Sequence, residues 1–370
     1  MAEAIDGRGG SKRPGRTARA WTGAMALAAV ALLLQLPAPV ARAGGITSAA
    51  PTGPLKIYAR ITLPSTAGEM FSSAAPAEAP DGAVFMASVT NNDNTVVWVV
   101  DGDGPATVAE HVSGVVHALA AGTDNLYVAT YTALTAFNRQ TGNRVESWAL
   151  PKFSTANVSD NDLVAVSAFN GEVLISIVMG NQIDIYHVNA ASSAGLKLIA
   201  IGTSSALGPD GLVYFVHSGV LVRLGADGAA TVGPQMADHP NRLGGGVQYI
   251  DAVAGGVVWV IEPAGQGEDA TMSSYNDKTL ALVARWSAPD TGRIVDTQAG
   301  ALVLGGDGYR DCPQSSSPNS PAPLCVYRLS STGALSDSMD VGTAWQLLGP
   351  YPAVITSNNA GTTSYLERLR

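Results

Sequence analysis

Gly114 to Pro151 reads GVVHALAAGTDNLYVATYTALTAFNRQTGNRVESWALP. Val115 to Ala120 leads into the turn signal Gly122-Thr123-Asp124-Asn125, and Leu126 to Thr130 then alternates apolar and polar as a half-buried strand does. After a break at Tyr131-Thr132 come Ala133 to Asn138, the turn Gln140-Thr141-Gly142-Asn143, and a last strand from Arg144 to Leu150. Four strands of this length cannot bury both of their faces alone, so the unit must stack on copies of itself.

Copies are present on both sides. Upstream, Met70 to Val112 carries the turns Asp81-Gly82 and Asp101-Gly102-Asp103-Gly104. Downstream, units begin near Leu163, Ser204, Val247, Arg293 and Thr343. The first turns of the seven units end at residues 82, 125, 171, 211, 256, 300 and 352, so the spacings are 43, 46, 40, 45, 44 and 52. A period of 40 to 50 residues with four strands per repeat predicts an all-β, seven-bladed β-propeller. The final unit offers only three strands before Arg370, and Leu55 to Leu63 is a strand standing alone before the first unit. Pairing the two ends completes the last blade and leaves no long open sheet edge, so a monomer is expected.

Within the second unit, Ala136-Phe137-Asn138, Thr141-Gly142 and Trp148 resemble the repeat of PQQ-like β-propellers, with the Trp two positions later than that pattern has it. Gly208-Pro209-Asp210-Gly211 resembles the turn of NHL-type propellers. The resemblance spans Leu55 to Arg370 and implies architecture. Quinone-dependent members use an adjacent cysteine pair and Trp-rich blades, neither of which occurs here, so PQQ is not carried over.

The N-terminus is expected to be an export signal. Arg8, Lys12, Arg13, Arg16 and Arg19 form a basic leader, Trp21 to Leu36 is an apolar run, and Ala41-Arg42-Ala43 fits signal-peptidase cleavage. A single membrane anchor is the competing reading of the same run. The division is then a signal peptide over 1–43, a linker over 44–53 and the propeller over 54–370, in a secreted or extracytoplasmic protein with no further membrane span. Removing the six basic and two acidic residues of 1–43 from the totals of 21 and 30 leaves 15 basic and 28 acidic residues, a net charge of −13. Nucleic acid is a poor partner for such a surface. In an exported chain Cys312 and Cys325 suggest a disulfide.

In a propeller the loops from second to third strand and from last to first share one face. Three such loops are long here: Pro234 to Gly246, Glu262 to Thr271 and Gly306 to Leu324. They bring Asp238, His239, Arg242, Glu262, Tyr309 and Arg310 forward as ligand-binding candidates, and Glu268, Asp269, Asp307 and Asp311 as candidates for Ca²⁺. Solvated loop residues that keep an acidic protein soluble are the competing reading. His117, Asp251 and Asp296, placed on first strands, are the candidates for a channel-mouth hydrolase or lyase using a divalent cation. The sequence contains no Gly-x-Ser-x-Gly elbow and no His-x-x-x-His pair. The leading expectation is a binding module for a protein, polysaccharide or small molecule.

Overall fold

The computed structural model describes residues 54–64, 70–71, 74–90, 94–151, 164–169, 172–179, 182–189, 195–202, 204–208, 210–224, 229–236, 249–262, 270–288, 294–297, 300–305, 324–342, 344–349, 351–357 and 363–370. They form seven antiparallel sheets of four strand positions each, with no helix among them. The chain is a seven-bladed β-propeller.

The second blade runs Ala118–Ala121, Asn125–Ala129, Ala133–Asn138 and Arg144–Ala149 from inside to outside. Blades three to six repeat that order from Val164–Phe169, Ser204–Leu207, Tyr249–Ala254 and Ile294–Thr297. In the first blade the innermost position is divided between Met70–Phe71 and Ala77–Glu78, both paired with Val84–Val89. The seventh blade supplies Ala344–Leu348, Ala353–Ser357 and Ser364–Leu369, and its outermost strand is Ile57–Thr62, paired antiparallel with Ser364–Leu369. The isolated N-terminal strand therefore closes the ring, as the strand count of the last unit requires.

The core explains why second strands read as unbroken apolar runs. Each blade has a neighbour on both faces, so both sets of alternate side chains must be apolar. Val84 and Met86 pack toward the seventh blade, with Ile355 and Leu366, while Phe85 and Ala87 pack toward the second, with Leu119 and Leu126. Val257, Trp259 and Ile261 face the sixth blade, and Val258 and Val260 face the fourth. One apolar cluster fills each of the seven seams, the ring-closing one included. A fully buried side chain of this kind contributes about 1.5–3 kcal/mol, so stability is distributed around the ring. Trp148, Trp259 and Trp286 belong to these seams. Trp259 and Trp148 are buried, and Trp286 meets Trp259 edge to face at 5.8 Å between ring centroids.

Candidate functional site

Most residues predicted for the loop face, namely Asp238, His239, Arg242, Glu268, Asp269, Asp307, Tyr309, Arg310, Asp311 and Cys312, lie outside the described residues. Glu262 is placed by its backbone at the end of Val257–Glu262, paired with Thr271. Antiparallel alternation puts the strand ends at Gln235, Tyr249, Glu262, Ala270, Gly305 and Leu324 on one face of the disc. Cys325 is buried at the seam between blades five and six.

The channel candidates are described as to backbone and lie on the second, fifth and sixth blades. Asp251 and Asp296 sit on adjacent innermost strands. Asp251 Oδ2 accepts a hydrogen bond from the Ile294 amide at 2.7 Å, and Asp296 Oδ1 accepts one from the Gly255 amide at 2.9 Å. Burial raises the pKa of Asp296, partly offset by that amide. Each carboxylate joins its own blade to its neighbour across a seam. His117 is on the second blade, buried, with its ring 3.6 Å from that of Tyr131. Among the described residues no three His, Cys, Asp or Glu side chains come together as a metal site.

The opposite face holds polar constellations that sequence reasoning missed. It carries the turns from first to second strand and from third to fourth. Between blades one and two, Arg139 donates from Nη1 to the Gly122 and Thr123 carbonyls and from Nη2 to both Asp81 oxygens at 2.7 Å. Its guanidinium carbon lies 5.4 Å from the centroid of the Phe85 ring. Burial alone would raise the Asp81 carboxyl, but the Arg139 hydrogen bonds and charge bring it below the ordinary carboxylate range.

Between blades seven and one, Glu78 is the buried partner. Its Oε1 accepts from the Tyr351 amide at 3.1 Å and lies 3.7 Å from Arg368 Nη1; the two side chains are 1% and 4% exposed. Arg368 Nη2 donates to the Gly82 and Gly102 carbonyls. Glu78 Oε2 is buried with no hydrogen-bond partner among the described residues. Burial pushes the Glu78 carboxyl up to about 8, against the pull of Arg368 and the Tyr351 amide. The Asp101 to Gly104 turn thus offers a carbonyl to a buried arginine.

Two hairpins share an Asn-x-x-Thr signature. Asn138 Oδ1 accepts from the amides of Gln140 and Thr141 and the Thr141 hydroxyl, and Asn276 Oδ1 does the same for Lys278 and Thr279. The position after each Asn faces the preceding blade. In the second blade it is Arg139, opposite Asp81. In the fifth it is Asp277, whose carbonyl accepts from Tyr214 Oη and Arg223 Nη1, both at 2.9 Å. Burial and the nearby Asp210 raise the pKa of Asp277, and the same influences raise that of the Tyr214 phenol. Where one seam uses an ion pair between blades, the other places two acids together and draws its cation from the fourth blade.

No family model and no curated protein matches the sequence. Solved structures do match in fold. A chain of the mitotic checkpoint complex is 11% identical, with 89% of this chain and 99% of that one covered at a TM-score of 0.53. The β-propeller domain of Myceliophteria thermophila Cps50 (Swd1) is 12% identical, with 85% and 99% covered at a TM-score of 0.51. At such identities the likeness is one of fold.

Proposed function

We propose that the protein is an exported β-propeller acting as a binding module, with its principal site on the face of the three long loops. The observation that carries this reading is the use of Asp251 and Asp296: both channel carboxylates are engaged by backbone amides of the neighbouring blade. Groups committed to joining blades are poorly placed to act as general acid and base, so the hydrolase or lyase reading gains no support from them. Long loops on a rigid scaffold favour recognition. The fold neighbour from the mitotic checkpoint complex is itself part of an assembly.

On this reading residues 1–43 are removed on export, 44–53 form a linker and 54–370 form a monomeric propeller of PQQ-like or NHL-like repeat type. Cys312 pairs with Cys325, tying the long loop of the sixth blade to its third strand. The loop acids give a place for Ca²⁺, and the ligand is a protein, polysaccharide or small molecule. N-terminal sequencing of the protein recovered outside the cytoplasm should begin at Gly44; an intact leader would contradict export. Shortening segments 237–248, 263–269 and 306–323 to tight turns should preserve the melting temperature and abolish binding on a peptide and glycan array. Equal binding by parent and shortened protein would place the site elsewhere. A Tm unchanged by Ca²⁺ or EDTA would count against the cation.

A further inference from the structure

The outer half of the seam between blades one and two contains a cavity of about 270 Å³, on the face opposite the long loops. Phe85, Leu126 and Phe137 form its apolar lining, and Glu110, Arg139 and Gly142 contribute its polar part. At this volume it suits one side chain rather than a whole cofactor. Its electrostatics are unbalanced. Arg139 is neutralised by both oxygens of Asp81, whereas Glu110 makes no hydrogen bond or ion pair among the described residues. Burial raises the pKa of Glu110, partly offset by His111, the next residue on its strand.

Two features keep the cavity open and directional. Gly142 has φ +70°, a backbone conformation that favours glycine, and a Cβ there would come within 2.7 Å of Glu110 Oε1 and displace the carboxylate. Among the described residues the Nε of Arg139, which lines the cavity, is buried without an acceptor, although both of its terminal nitrogens are engaged. A buried donor left unpaired is costly, and an incoming carbonyl would satisfy it.

We propose that this cleft is a receptor for a basic side chain, lysine or arginine, of a peptide partner. The cation neutralises Glu110, the aliphatic stem covers the Phe137 and Leu126 wall, and a peptide carbonyl accepts from Arg139 Nε. The last contact favours a peptide over a free amine, which brings no acceptor.

The test is NMR titration of the protein, at low and at physiological salt, with a short neutral peptide carrying one lysine. The arginine and norleucine versions of the peptide and n-butylamine serve as comparisons. The expected result is saturable shifts at the Glu110 and Gly142 amides with the lysine or arginine peptide, weakening with salt, and at least tenfold weaker binding of norleucine peptide and amine. Glu110→Gln, with an unchanged melting temperature, should reduce the basic peptide's affinity to that of the norleucine peptide. Gly142→Ala should weaken all four ligands. Equal binding of lysine and norleucine peptides, unchanged affinity in Glu110→Gln, or no shifts with any ligand would overturn the proposal, and binding of n-butylamine as tight as that of the peptide would overturn its peptide part. The loop-shortened protein should retain this binding, which separates it from the loop-face site.

Discussion

Replacing Glu78 by Gln at the ring-closing seam should abolish most of the pH dependence of stability between pH 5 and 8. The Glu78 carboxyl ionises at about 8 in the folded protein against an ordinary value of 4.5. A raised acid pKa means that the folded state holds a proton which the unfolded chain has already released. Stability is therefore highest below the unfolded value and falls as pH rises from 4.5 to about 8. At ~1.4 kcal/mol per pH unit, that interval sets a ceiling of ~5 kcal/mol, the pull of Arg368, 3.7 Å away, being already contained in the raised value. Gln keeps the shape, still accepts from the Tyr351 amide, and does not titrate. Thermal unfolding followed by circular dichroism from pH 5 to 8.5 should show the parent Tm falling by about 5–10 °C and the variant's staying nearly level. The variant should be the more stable of the two above pH 8. Equal slopes would refute the reasoning and mean that Glu78 is ionised throughout, paired with Arg368.

Arg139→Ala should cost about 2–4 kcal/mol, since it removes two carbonyl bonds, the Asp81 pair and the packing on Phe85. Asp81→Ala should cost about 1 kcal/mol, because Asp81 is 62% exposed. Asp81 also has the opposite pH sign to Glu78: its depressed pKa gives stability that is present above the ordinary carboxylate range and lost as pH falls, so Asp81→Asn should flatten the acid side of the Tm profile. Leu280 has φ +56° and is fully buried in the cluster between blades four and five. Leu280→Ala should cost about 2–4 kcal/mol, and Leu280→Gly should cost no more, reversing the usual order because glycine relieves the left-handed backbone. Gly333→Ala, where a Cβ would sit 2.7 Å from the Trp286 ring at φ +83°, should cost about 1–3 kcal/mol by urea unfolding.

The blade period was legible because each unit must reverse the chain at similar intervals, and Asp81-Gly82, Asp210-Gly211 and Gly255-Gly256 record those reversals. The closing role of Leu55 to Leu63 was legible as arithmetic, from a last unit one strand short. What joins blades was not. Arg139 and Asp81 are 58 residues apart and Arg368 and Gly82 are 286 apart, and nothing local to either member marks its partner. Volumes are traded across seams in the same hidden way. The left-handed hairpin residue is Gly333 where the preceding blade offers Trp286, and Leu280 where it offers Gly233. That Asp251 and Asp296 accept from amides of the neighbouring blade was hidden as well, because a strand position does not reveal which amide it meets. Of the groups on the opposite face, the polar cleft of Glu110 and Gly142 went unseen because a lone Glu and a turn glycine are ordinary taken singly.

Ring closure tests the account most directly. A chain beginning at Pro64 lacks Ile57–Thr62, the strand that pairs with Ser364–Leu369, and the Ile61 and Leu63 side chains of the closing seam. Hydrogen exchange on this chain beside the full one should show protection lost first in Ser364–Leu369 and Ala353–Ser357, with a Tm lower by several degrees. An unchanged Tm and unchanged protection in those strands would contradict a propeller closed by its N-terminal strand.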